Sequence, residues 1–173
     1  MSKLYLIYVL FFKLLNNFVL SEELIENPIS VQTKSGPING FTETFEGKEV
    51  NVFLGIPYAE PPIGDHRFSK PDPVQEWTQP LNANKWPNNC YQIKAEYFNY
   101  KSDVFSEDCL YLNIWSPNTK TEVNNLKPVI VFLHGGAFYT GTSSIAIYDG
   151  KLLSLLGDVI VVTLNYRLTF TLK

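Results

Sequence analysis

Apolar residues fall along the chain in a few short runs, and each run predicts an element. Ile29–Thr33 and Gly40–Phe45 are strand-like stretches joined by the turn-forming Lys34-Ser35-Gly36-Pro37. Val50–Ile56 follows Glu46-Gly47-Lys48 and reads as a third strand, so the three predict a small antiparallel sheet. Pro57–Trp77 carries too many Pro and Gly residues for a helix or central strand; it predicts an ordered loop packed through Phe68 and Trp77. Cys90–Phe105 is irregular, with room for one helical turn.

The pattern then changes. Leu110–Trp115 is a strand, and Pro128–Leu133 and Val159–Leu164 are continuous apolar runs. Runs without alternation predict strands buried on both faces. Between them, Tyr148–Leu156 places Leu152, Leu153, Leu155 and Leu156 at helical spacing, with Gly157 as the expected C-cap. Strand, helix, strand is a βαβ unit with a right-handed crossover, which sets the class as α/β with helices on both faces of a sheet. Two buried strands and one helix cannot cover both faces, so the 173 residues read as part of a larger domain.

Leu4–Phe12 is an apolar run of nine residues behind Lys3, with Val19-Leu20-Ser21 at an expected cleavage point. It is shorter than the roughly 20 residues a spanning helix needs. Residues 1–21 therefore predict a secretory signal, giving an extracellular mature chain, 22–173, without a transmembrane span. The alternative is a buried helix or an uncleaved anchor.

Composition narrows the options. Apolar residues make up 45% and charged residues 18%, which suits a buried core rather than disorder. The net charge of −3 leaves no basic surplus to neutralise phosphates, so nucleic acid is not an expected partner. In a secreted chain the two cysteines, Cys90 and Cys109, suggest a disulfide, closing a loop worth about 3 kcal/mol; two free buried thiols are the alternative. These cysteines with His66 and His134 are too few and too scattered for zinc, and nothing points to a cofactor. No Asn-x-Ser/Thr sequon occurs.

The segment richest in chemistry is His134-Gly135-Gly136-Ala137-Phe138, directly after the run 128–133. Adjacent glycines let the chain turn sharply and leave backbone N–H groups unshielded. Open α/β sheets place ligands at the carboxyl ends of their strands. Such amides can hold the oxygen anion of a tetrahedral acyl intermediate. An ordinary Gly-Gly turn is the competing explanation.

Other blocks bear on that choice. Phe53-Leu54-Gly55-Ile56-Pro57-Tyr58-Ala59 with Pro61-Pro62, Gly64 and Arg67-Phe68, then Pro87-Asn88-Asn89-Cys90, then Ser106–Asn113 (SEDCLYLN), Tyr148-Asp149-Gly150-Lys151 and Asn165-Tyr166-Arg167-Leu168 follow in order. The chain thereby resembles the type-B carboxylesterase/cholinesterase family, over nearly all of its mature length.

The resemblance implies the amino-terminal portion of an α/β-hydrolase fold and a serine esterase working through an acyl-enzyme on small-molecule esters. It implies oxyanion-hole amides from Gly136 and Ala137, with Gly135 shaping the turn, and a gorge lined by Phe138 and Tyr139. It pairs Cys90 with Cys109 and implies a buried salt bridge between Arg67 and Glu107; Asp108 is expected to support the fold. Many members have glycine where Ala137 stands, but alanine still presents its N–H.

Two departures qualify the resemblance. The stretch Tyr91–Asp108 has no Trp of the kind that stacks on choline in cholinesterases, leaving Phe98 or Tyr100 as substitutes. Nor does the chain contain a Gly-x-Ser-x-Gly elbow: Gly141-Thr142-Ser143-Ser144-Ile145 lacks the second glycine. The nucleophilic serine, the acid and the histidine are therefore expected downstream, and this chain alone is expected to be inactive. The alternatives are an inactive, neuroligin-type adhesion protein, which keeps the fold without the serine, or a truncated product without function.

Overall fold

A computed structural model describes residues 27–117 and 126–168. The expected signal at 1–21 and the last five residues lie outside them. The described strands are β1 (Pro28–Gln32), β2 (Pro37–Phe45), β3 (Lys48–Pro57), β4 (Leu81–Asn82), β5 (Asn89–Cys90), β6 (Phe105–Ser106), β7 (Tyr111–Pro117), β8 (Val129–Leu133) and β9 (Ile160–Leu164). One α-helix, α1 (Lys151–Gly157), lies between β8 and β9.

β1, β2 and β3 pair antiparallel as their alternation predicts. The β2–β3 hairpin turns on Glu46 and Gly47, both left-handed (φ 49° and 76°), which suits the right-handed twist of the strands. They do not form a separate small sheet. β3 continues through β7, from Val50↔Pro117 to Pro57↔Tyr111, into one seven-stranded sheet of order β1-β2-β3-β7-β9-β8, with β4 beside β2. The register shifts between Phe53 and Ile56, where Gly55 (φ 74°) donates its N–H to Asn113 Oδ1 at 3.0 Å. β7 and β9 are antiparallel and β8 and β9 parallel, so the expected βαβ unit is present.

One core cluster lies between α1 and the sheet. Val50, Val52, Leu54, Trp115 and Val161 are buried together, and Leu155 of α1 packs on them. The helix starts tightly against the sheet: a Cβ at Gly150 would meet the Trp115 ring at 2.6 Å. Leu152, Leu153 and Leu156 remain exposed. The helix closes on Asp158 rather than Gly157: Asp158 takes the left-handed conformation (φ 52°) and its carboxylate pairs with Lys127 at 2.5 Å.

The expectation for the two apolar runs divides. β9 alternates partly and fully buried residues. β8 is exposed throughout, from 37% at Phe132 to 62% at Leu133. It pairs only with β9, and among the described residues Tyr148 is the one ring that packs on it, 4.8 Å from the Phe132 ring. The Pro57–Trp77 loop is ordered through Trp77, whose indole N–H donates to the Pro37 carbonyl at 2.8 Å. Phe68 does not anchor it; its ring is exposed and faces the Arg67 guanidinium. Cys90–Phe105 contains a single turn, closed by Phe98 N–H to the Ala95 carbonyl at 3.1 Å.

Candidate functional site

The turn after β8 is built on a buried histidine. His134 is 4% exposed, and its ring lies flat on that of Tyr166, centroids 4.3 Å apart. The Tyr166 hydroxyl donates to the His134 carbonyl at 2.5 Å, and His134 Nδ1 lies 2.9 Å from the Gly135 carbonyl. That contact places the ring proton on Nδ1 and leaves Nε2 buried without a hydrogen-bond partner. Burial holds the imidazole below its ordinary pKa, opposed by the Gly135 bond, so it is neutral at pH 7.

The conformational demand in the turn falls on Gly136 rather than Gly135. Gly136 has φ 123°, and a Cβ there would lie 1.8 Å from the Thr140 carbonyl oxygen; Gly135 has open space beside it. Ala137 and Phe138 follow in the left-handed region (φ 54° and 63°), which costs an L-residue about 1–2 kcal/mol. The Gly136 carbonyl accepts the N–H groups of Tyr139 (2.9 Å) and Thr140 (3.1 Å), closing the turn. Among the described residues, none accepts a hydrogen bond from the N–H of Gly135, Gly136 or Ala137, and all three residues are exposed. Phe138 and Tyr139 are exposed as well, with the Phe138 ring edge-on to Tyr166 at 6.2 Å.

A buried polar network supports the far side of the turn. Asn165, just after β9, accepts from Ser143 N–H (2.7 Å) and lies 3.0 Å from the Thr142 hydroxyl; its amide donates to the Asn88 carbonyl (2.8 Å). Asn89 Oδ1 lies 2.6 Å from the Thr142 hydroxyl and 2.5 Å from that of Ser144. Asn113 spans Gly55, Ser143 and Thr163. Sequence reasoning missed these residues as a group. The available signal is the hydroxyl run Thr142-Ser143-Ser144 and three asparagines in or beside strands, yet their distant partners are 22 to 77 residues away. Ser143 is 1% exposed and bonded to Asn113, so it is no nucleophile.

Cys90 and Cys109 form a disulfide, with Cα atoms 5.0 Å apart, and no described cysteine is free. The Arg67–Glu107 pair forms, with Nε 2.6 Å from Oε1, but it is less buried than expected: the Arg67 side chain is 47% exposed and that of Glu107 19%. Such a pair is worth at most about 1 kcal/mol. Asp108 accepts the Tyr111 hydroxyl at 2.8 Å, in a fold-supporting role. Tyr58 donates to the Asn165 carbonyl at 2.6 Å; burial pushes its pKa up to about 12, against the partial opposition of Arg167.

The rings considered for a cation are committed to one another. Phe98 lies 4.4 Å from Tyr97 and 6.0 Å from Tyr100, which meets Phe105 edge-on at 5.8 Å. Lys94 Nζ sits 5.7 Å from the Tyr100 centroid and pairs with Asp103 at 2.8 Å. No helix of the described residues is long and apolar enough to cross a membrane.

A mixed sheet carrying a glycine turn at the carboxyl end of a parallel strand, with free amides and a neighbouring disulfide loop, agrees with part of an α/β-hydrolase fold. Residues 27–171 match the sequence model of the carboxylesterase family. The chain is 40% identical over 160 residues to an acetylcholinesterase of Leptinotarsa decemlineata, covering 82% of this chain and 25% of that protein. It is 42% identical over 151 residues to a cholinesterase of Mus musculus, covering 82% and 24%. It is 44% identical over 131 residues to acetylcholinesterase 1 of Caenorhabditis elegans, covering 71% and 21%. The chain belongs to the carboxylesterase family. It spans about a quarter of the length of these relatives.

Proposed function

We propose that this chain supplies the oxyanion-stabilising turn of a secreted carboxylic ester hydrolase that works through a serine acyl-enzyme. The observation that carries the reading is the pair of unaccepted amides at Gly136 and Ala137, held outward by left-handed backbone at the end of β8. Donors fixed before the reaction stabilise the developing alkoxide without reorganising; one such donor is typically worth about 10²–10³ in kcat. Gly135 and Gly136 keep side chains out of the approach, and Phe138 and Tyr139 line it.

The 173 residues hold no Gly-x-Ser-x-Gly. The nucleophile, the acid and the base are contributed by sequence beyond these residues, and 22–173 is one part of the catalytic domain. Residues 1–21 direct secretion, in keeping with the disulfide. The substrates are small carboxylic esters. Lys94 over Tyr100 disfavours a positively charged alcohol group at that ring.

The test is hydrolysis of naphthyl acetate and acetylthiocholine, with fluorophosphonate labelling, by the chain alone and by the longest product its gene encodes. The chain alone should match the blank. The longer product should be labelled and prefer the neutral ester. A longer product with no serine at the elbow and no labelling would replace this reading with the adhesion one.

A further inference from the structure

We propose that Gln92 is a positioning residue for the His134–Phe138 turn, through which the disulfide loop aims the turn's amides. The inference rests on the reading of those amides as the oxyanion site. Gln92 stands two residues after Cys90, and its carboxamide is fully engaged. Its Oε1 accepts the Gly141 N–H at 2.6 Å, and its Nε2 donates to the Gly141 carbonyl at 2.7 Å and to the Cys90 carbonyl at 3.1 Å. The side chain thus grips both backbone polar groups of one residue, as a neighbouring strand would, and ties it to the half-cystine.

Gly141 sits directly behind the turn. It has φ 115°, and a Cβ there would lie 2.4 Å from both the Gly135 carbonyl oxygen and His134 Nδ1. Movement of Gly141 toward the turn is therefore passed to the His134 ring and to the Gly135–Gly136 peptide, which carries the Gly136 N–H and is followed by that of Ala137. On the other side of Cys90, Asn89 meets the hydroxyls of Thr142 and Ser144. Asn89 and Gln92, on either side of the half-cystine, therefore hold Gly141, Thr142 and Ser144. Donors must be held to within about 0.5 Å of their productive positions, and no described side chain is bonded directly to the amides of Gly135, Gly136 or Ala137, so their aim depends on what packs behind the turn.

Gln92→Leu removes both bonds to Gly141 at similar size. Gln92→Glu keeps the acceptor but sets a carboxylate oxygen against the Gly141 carbonyl; protonating the new carboxyl, near pH about 4.3, restores a donor. In ¹H–¹⁵N spectra of the full chain, both variants should shift the Gly135, Gly136 and Ala137 amides and leave those of β1 and β2 in place. For Gln92→Glu the shifts should return toward wild type as pH falls through the carboxyl titration, and for Gln92→Leu they should not. Unmoved turn amides in Gln92→Glu at pH 7 overturn the proposal, even if Gln92→Leu fails to fold. In the longer gene product, kcat should fall about 10- to 100-fold with KM within about twofold; an active wild type whose Gln92→Glu form keeps its kcat also overturns it. A wild type without esterase activity removes the oxyanion reading, and the amide shifts alone then decide the role of Gln92.

Discussion

Tyr166 lies flat against His134, ring planes 12° apart, and at the same time donates its hydroxyl to the His134 backbone carbonyl. The segment after β9 thus clamps the first residue of the turn after β8 at two points. Tyr166→Phe removes the hydrogen bond and keeps the stacked face. It should lower stability by about 1 kcal/mol. Tyr166→Leu also loses the ring pair and should cost about 1 kcal/mol more. Urea midpoints of the two variants, compared at equal m-value, check the order.

His134 makes stability depend on pH. Burial lowers its pKa in the folded chain, so between that value and the unfolded value near 6.5 the unfolded state binds more protons. Stability from this group is therefore complete above pH 6.5 and is lost as pH falls from there toward the folded pKa. Below the folded pKa the loss levels off. Thermal melts from pH 8 to 5 should show this decline in the wild type and a flatter profile in His134→Gln. An equal slope in both would assign the decline to other groups.

Much of this fold is legible in the sequence, for identifiable reasons. The β2–β3 hairpin is signalled by Glu46-Gly47 between alternating runs, and its register follows from a two-residue turn. The βαβ unit is signalled by two apolar runs flanking a leucine-rich stretch. What pattern could not supply is which neighbour each strand takes. The antiparallel joining of β3 to β7 depends on the Gly55 bulge and on Asn113, 58 residues away. β8 carries the composition of a covered strand yet is an exposed edge here, because apolarity records what a strand is suited to pack against and not which residues are present to pack. At the site, the glycine pair marks the turn, but nothing local to Gln92 marks its bonds to Gly141, 49 residues away.

The two positions inside the turn should respond in opposite directions. Gly136→Ala drives a Cβ to 1.8 Å from the Thr140 carbonyl and strains φ 123°. It should destabilise by more than about 2 kcal/mol or rearrange the turn. Ala137→Gly removes left-handed strain while keeping the N–H, so the folded state relaxes as the unfolded chain gains entropy. The net change should be a gain of between about 0 and 1 kcal/mol. Differential scanning calorimetry of both variants distinguishes the outcomes, and a loss in Ala137→Gly would mean that its φ is not strained.

The last contrast separates a charged pair from a neutral one. Arg67 and Glu107 are joined at 2.6 Å, but Arg67 is half in water, which screens the attraction, while the Glu107 side chain keeps 19% exposure. Arg67→Met should cost less than about 1 kcal/mol, mostly through lost packing on Phe68. Asn113 is uncharged and fully buried. Its Oδ1 accepts the Gly55 N–H at 3.0 Å, and its amide reaches the hydroxyls of Ser143 (3.2 Å) and Thr163 (3.1 Å). Asn113→Leu leaves those groups without their partner in a dry interior, and each unsatisfied group costs about 1–3 kcal/mol. The expected loss is about 3 kcal/mol or more, with the Gly55 amide losing its protection from hydrogen exchange. If Arg67→Met proves the more damaging of the two in denaturant titrations, the ion pair contributes more than the buried amide to holding this fold.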